Sequence, residues 1–398
     1  MTVVIALIIL YFASGSPVSL YSLWRDELGV TNSDLSLASM CYFFGTVIPL
    51  LFLPRISDHL GRRPATVLIL LVSLCGVATF AMVSSPAMIM AGRFIQGFAS
   101  GLGSSTVAAY VVDLSVGLPR WVGPMITSSA PTVGLALGAF ASGGTVSFSD
   151  VTPETYFWVL AAVIVVIAVL VLLARETMPR SPGLARSLIP QFSLPEGCLR
   201  IYLASAVVFV GTWSIGGFSQ SFSAVIVSEQ LGYEDTFISA VVFAILLLPN
   251  ILGSYMAKRY DTRHAQRLWM GMFSLAIILM YVSLAFFDSL LLFCLFSILA
   301  GVGQGVAFTA GVSELTGRAT KAQRAGTFSL IYLTSYGGAA IPNLVVGMFS
   351  GDHTVEGILL AYAIYIFVMF LILLALTAKP YPKRESSELL TERPGRRA

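Results

Sequence analysis

Few residues in this chain are placed to do chemistry, and their positions say more than their number. Arg93 is the one charge well inside a long apolar run, and Gln96 and Ser100 follow it at spacings that share a helical face. An arginine at that depth is costly, so it faces a cavity or a partner, or it snorkels to a membrane surface about two turns away. The second concentration is Pro54-Arg55-Ile56-Ser57-Asp58-His59-Leu60-Gly61-Arg62-Arg63-Pro64, with three arginines, a histidine and an aspartate between two apolar runs. Charge of this density cannot lie in hydrocarbon, so the stretch reads as a tight hairpin at a membrane surface. A positive anchor explains its arginines. It does not explain Asp58, which adds a negative charge, or Gly61, which suits a turn with positive φ.

The same survey excludes other chemistries. No phosphate loop, catalytic triad or metal cluster stands out, and the three histidines (His59, His264, His353) fall in connections. The four cysteines show neither a disulfide framework nor metal spacing. A membrane enzyme needs a His, Asp or Ser cluster at one face, and a receptor needs a large soluble domain or long tail. Neither is visible.

The elements that must position these residues follow from composition. Of 398 residues, 57% are hydrophobic and only 11% charged, against about a quarter charged in soluble domains. A spanning helix needs roughly 20 mostly apolar residues. The chain supplies twelve such stretches: 2–24, 36–54, 65–83, 87–112, 122–146, 156–174, 200–227, 237–257, 267–287, 289–313, 325–349 and 356–378. An all-α polytopic membrane protein is expected. With a cytoplasmic N-terminus, 21 of the 23 Lys and Arg residues fall on the cytoplasmic side, which supports both helix count and orientation. No basic face then remains for nucleic acid.

Expected divisions are a first six-helix bundle (1–174), a proline-bearing cytoplasmic linker (175–199), a second bundle (200–378) and a cytoplasmic tail (379–398). The halves echo one another at an offset of about 204 residues. Arg120 precedes Gly134 and Gly143 by 14 and 23 residues, and Arg324 precedes Gly338 and Gly347 by the same distances. Gln96-Gly97 is echoed by Gln304-Gly305, and Asp113 by Glu314. Such repeats are expected of transporters built from paired bundles.

The hairpin resembles the major facilitator superfamily of secondary transporters, which carries Gly-x-x-x-Asp-Arg-x-Gly-Arg-Arg between its second and third helices. Asp58, Gly61, Arg62 and Arg63 match, whereas Pro54 and His59 replace the first Gly and first Arg. The resemblance implies a gate in which the Asp sits near the start of helix 11 and the Arg pairs with an acid ending helix 4. Asp113 and the turn before helix 11 are the matching partners, and Arg120 is counted with Asp58, Gly61, Arg62, Arg63 and Asp113 among the expected gating residues. Arg93-x-x-Gln96-Gly97 is similar to the family's helix 4 pattern, associated with coupling and substrate access. Gly134-x-x-x-Gly138-x-x-x-x-Gly143 is similar to its antiporter signature, with Ala139 for Pro and Ser142 for a Gly. Small residues at this spacing are equally explained by close helix packing.

Tyr11, Trp213, Gln220, Asn250, Gln304, Tyr336 and Asn343 are candidates to line a central cavity, or to make interhelical hydrogen bonds. No Asp, Glu or Lys stands near the middle of any expected helix. That weakens the case for organic cations, and Arg93 suits neutral or anionic molecules better. The reading is proton-driven efflux of a small organic compound, with uptake of a neutral or anionic nutrient as the alternative. No cofactor beyond a proton gradient is expected. The expected setting is a bacterial inner membrane, with both termini cytoplasmic, the chain a monomer and a small molecule and lipid its partners.

Overall fold

A computed structural model describes residues 1–115, 117–119, 122–178, 192–320, 323–349 and 353–381. Among them the chain is entirely helical, without a strand. Twelve long helices follow one another: α1 (Thr2–Leu28), α2 (Asn32–Phe52), α3 (Arg62–Ala81), α4 (Pro86–Leu114), α5 (Val122–Phe148) and α6 (Pro153–Leu172). Then come α7 (Leu199–Gln230), α8 (Thr236–Arg259), α9 (Thr262–Ala285), α10 (Leu290–Arg318), α11 (Arg324–Phe349) and α12 (Val355–Leu376). Eleven are long and apolar enough to cross a membrane. The remaining one, α4, carries Arg93 and a run of Gly and Ser. Large exposed apolar side chains cover α6 and α12, including Val159, Val166, Val169, Ile364 and Phe367. Such faces require lipid. The protein is a multi-pass membrane protein of two six-helix bundles.

Several helix ends differ from the sequence expectation, each for a local reason. α2 begins at Asn32 because Thr31 and Asp34 form a reciprocal capping box, with the Thr31 amide donating to Asp34 Oδ2 at 2.9 Å. α9 begins at Thr262 because the Asp261 side chain accepts from the Arg263 amide. α1 continues to Leu28, carrying Arg25, Asp26 and Glu27 on the helix, and ends at Gly29 with φ +65°. α10 runs on to Arg318, so Glu314 and Arg318 form an i,i+4 ion pair at 2.6 Å on its last turn. His59 and His264 consequently lie in helices, His59 in the short Ile56–Leu60 helix of the hairpin.

Lipid offers helices no hydrophobic drive to associate, so close approach rests on small residues and interhelical hydrogen bonds. A Cβ on Gly97 of α4 would collide with the Tyr42 carbonyl of α2, and one on Gly305 of α10 with the Asn250 carbonyl of α8. Gly45 backs onto the Phe94 carbonyl and Gly253 onto that of Val302. Gly134 lies against Tyr11 of α1, and Gly338 against Val210 of α7. The repeated glycines thus serve repeated contacts. The bundles meet along α2 with α11 and along α5 with α8, while α7 also packs on α2 and on the tightened turn Val18–Leu20 of α1.

Candidate functional site

The site is built around a break in α1. Pro17 has no amide hydrogen, so the Ala13 carbonyl four residues earlier loses its helical donor. Gln96 Nε2 of α4 fills that place at 2.8 Å. Arg93 Nη1 donates to the adjacent Ser14 carbonyl at 2.6 Å and to Gln96 Oε1 at 3.3 Å. Its Nη2 donates to Gln220 Oε1 of α7, which joins the two bundles. The guanidinium lies 4.6 Å from the centre of the Tyr42 ring on α2. Arg93 is 0% exposed, which overturns the snorkelling alternative.

Trp213 and Tyr336 join the aromatic cluster that holds Tyr42 and Phe43, drawn from both bundles. Trp213 of α7 meets Tyr336 of α11 edge-on at 4.6 Å between ring centres, and Phe43 of α2 lies 6.2 Å from Tyr336. Tyr11 of α1 is buried. Asn343 is fully buried, donating to the Ala339 carbonyl at 2.7 Å and accepting from Ser221, which also donates to Ser39 of α2 at 2.7 Å. Asn343 therefore sits in a junction between the bundles. Asn250 is placed elsewhere, accepting from Ser254 at 3.3 Å on the α8 face toward α10. Gln304 is buried on α10.

Of the helix 5 glycines, Gly134 and Gly138 lie against α1, whereas Gly143 crosses to α8, where the Thr236 carbonyl is 2.6 Å from an added Cβ. Ser142 was not singled out as a functional residue, yet it donates to the Ser16 carbonyl at 2.6 Å and meets Ser19 at 2.9 Å. It too satisfies backbone near the Pro17 break.

At the hairpin end, Arg62 bridges Asp58 (Nη1–Oδ1, 2.9 Å) and Asp113 at the end of α4 (Nε–Oδ2, 3.1 Å). Gly61 has φ +94°, a conformation strained for any side chain. Arg63 Nη1 donates to the Leu172 carbonyl, capping the end of α6 at 3.1 Å. Arg120 lies outside the described residues. Glu176, read from sequence only as the start of a linker, accepts from the amides of Arg62, Arg63, Thr177 and Met178 at 2.9–3.1 Å. Burial works to raise its carboxyl pKa, but the amides of Met178, Arg63, Arg62 and Thr177 outweigh it and hold the group below 4.5. An acid directly after the apolar run of α6 was the available signal.

At the opposite end the bonds run between bundles. Arg25 Nε of α1 pairs with Glu229 of α7 at 2.6 Å. Ser147 of α5 donates to Asp235 at 2.5 Å and meets Thr236 at 2.9 Å. Asn32 donates to the His353 carbonyl at 3.1 Å, and Ser33 to that of Gly347. None of these was named from sequence as a contact, because each joins residues far apart in the chain.

Comparison with known proteins adds three findings. The family model described as Major Facilitator Superfamily matches residues 3–288 and 201–396. The multidrug resistance protein MdtL of Klebsiella pneumoniae subsp. pneumoniae is 26% identical over 377 residues, covering 89% of this chain and 93% of that protein. MdtL of Salmonella typhimurium is 25% identical over 395 residues, covering 90% and 93%. In fold, the chain is similar to the nucleoside transporter NupG, with a TM-score of 0.69 at 15% identity over 95% of this chain and 98% of that one. It is also similar to a bacterial homologue of the lysosomal transporter Spinster, captured inward-facing, with a TM-score of 0.70 at 15% identity over 94% and 95%.

Proposed function

The chain belongs to the major facilitator superfamily and is a transporter rather than an enzyme, and on that premise we propose that it exports a small organic compound by alternating access, driven by a proton gradient. The observation that carries the reading is the Arg93 to Gln220 bond, which joins buried polar groups of α4 and α7 between the bundles. Substrate sites in such transporters lie between paired repeats near mid-membrane. The relatives' name, multidrug resistance protein, supports export over uptake.

In this reading residues 1–174 and 200–378 rock as units joined by 175–199. The Arg62–Asp113 hairpin gates the cytoplasmic end, and both termini lie in the cytoplasm of a bacterial cell. Glu229 and Asp235, bonded across to Arg25 and Ser147, take protons from the outside. Protonation removes the ion pair at Glu229 and one acceptor at Asp235, which loosens the closed end. The uptake alternative draws on Arg93, a buried cation suited to an anionic or neutral nutrient.

The test is proton movement in proteoliposomes loaded with a pH dye and offered a panel of drugs under an imposed pH gradient. Substrate-dependent proton flux, reduced in Glu229→Gln and Asp235→Asn, is the expected result. Substrate movement without a proton signal overturns proton coupling.

A further inference from the structure

The Arg93 site holds more positive charge than its surroundings answer. Among the described residues no carboxylate pairs with Arg93; its partners are the Ser14 carbonyl, the amide oxygens of Gln96 and Gln220, and the face of Tyr42. Its Nε is buried with no hydrogen-bond partner. The hydroxyl of Tyr21, within electrostatic reach of Arg93, is also buried and unpartnered. Arginine cannot shed its proton, so burial does not neutralise it as it can a lysine. A wholly buried cation with neutral partners and spare donors beside it lacks an anion.

The aromatic cluster to which Tyr42 belongs fixes the rest of the ligand. Tyr42, Tyr336 and Trp213 come from both bundles, and Trp213 is only partly buried. Aromatic faces from two elements that separate during transport offer stacking to a flat ring. A free ammonium ligand would suit such rings alone, but Arg93 repels it.

We infer that this site takes an aromatic organic anion, a ring bearing one carboxylate or comparable acid, with the acid on Arg93 and the ring against Tyr42, Tyr336 and Trp213. The inference rests on the transport reading above, because it takes the junction of the bundles as the substrate site. The Arg93 charge is then answered only when substrate is bound, so loaded and empty states differ in electrostatic energy at the junction.

The test is equilibrium binding of radiolabelled benzoate, benzamide and acetate to the full-length protein in nanodiscs. Wild type binds benzoate at least tenfold more tightly than either benzamide or acetate. Arg93→Gln removes the preference for benzoate over benzamide and leaves benzamide binding in place, which shows that the variant is folded. Trp213→Leu, an independent variant, cuts the preference for benzoate over acetate several-fold. Competition of benzoate by chloride at equal concentration would overturn the aromatic assignment. So would equal affinity of wild type for benzoate and benzamide, or a preference that survives Arg93→Gln. Proton-coupled drug movement by a protein that does not bind benzoate overturns this inference and leaves the export reading standing. Benzoate binding without export of any compound does the reverse.

Discussion

Helices α4 and α10 hold equivalent places in the two bundles, and they use them differently. Gly97 and Gly305, 208 residues apart, each press on a carbonyl of the neighbouring helix, those of Tyr42 and Asn250, which are themselves 208 apart. Gly45 on Phe94 and Gly253 on Val302 repeat the pattern at the same offset. One turn before Gly305 stands Gly301, packed on the Leu246 carbonyl; one turn before Gly97 stands Arg93. Where packing alone is needed, both bundles keep the same small residue. Where one of them carries a buried charge instead, symmetry is set aside and stability gains nothing obvious from it. The departure from the repeat marks function, and the repeat marks architecture.

The sharpest way to break this comparison is to fill the glycines. Gly97→Ala and Gly305→Ala each place a Cβ on backbone that cannot yield without moving a helix, at a cost of about 1–3 kcal/mol. Both variants should lose melting temperature by comparable amounts and give less folded protein. Gly216→Ala, with open space at its Cβ, is the control and should stay within about 0.5 kcal/mol of wild type. A harmless Gly97→Ala would show that the repeated contacts do not hold the bundles together.

Arg93→Gln separates the two roles next. It should cut transport about a hundredfold while melting temperature holds or rises, since removing an uncompensated buried charge is often neutral or stabilising. Gly301→Ala should show the opposite, a stability loss with transport per folded molecule preserved. If Arg93→Gln unfolds the protein as the glycine variants do, Arg93 belongs to the architecture. A vesicle transport assay beside a thermal melt decides it.

The hairpin corners sharpen the comparison at the membrane surface. In the first bundle Arg62 bonds both Asp58 and Asp113; in the second, Glu314 accepts from Thr262 at 3.1 Å and pairs with Arg318 of its own helix. Hydrogen bonds to charged groups contribute roughly 1.5–3 kcal/mol, and partial exposure of Asp113 reduces that. Asp113→Asn should therefore slow transport about tenfold and Glu314→Gln no more than about twofold. Equal losses would mean that both corners gate alike.

Much of the architecture was legible in the sequence because lipid leaves the chain few choices. Charge between apolar runs must sit at a surface, which located the Arg55–Arg63 hairpin. The spacing of Gly134 and Gly143, repeated at Gly338 and Gly347, foretold contacts that recur in both bundles. The neighbours of Arg93 were harder to read. Its bonds to α1 exist because Pro17 frees a carbonyl, and that needs α1 and α4 side by side. Arg25 with Glu229, and Ser147 with Asp235, join residues 204 and 88 positions apart. Local pattern carries no record of such pairs.

Glu176 supplies the smallest effect and a test by pH. Its carboxylate collects the first amides of α3 and the two that follow it, tying the end of α6 to the hairpin; the second bundle instead ties the start of α9 to the end of α12, through Arg263 Nε on the Thr377 carbonyl at 2.7 Å. The Glu176 pKa is held below 4.5 in the folded protein. A depressed carboxylate contributes stability that is fully present above its unfolded pKa and is lost as pH falls through the folded one. Mobility of a spin label at His59→Cys, in a background with the other cysteines replaced, should therefore stay constant from neutral pH through the ordinary carboxylate range and rise only at more acidic pH. With Glu176→Gln added, the label should be a few-fold more mobile already at pH 7, with a weaker dependence on pH. A label on the Arg263 corner, which is capped by Asp261 and tied by Arg263 to the end of α12, should not respond to Glu176→Gln; a matching gain in mobility there would show that the two corners are not held separately.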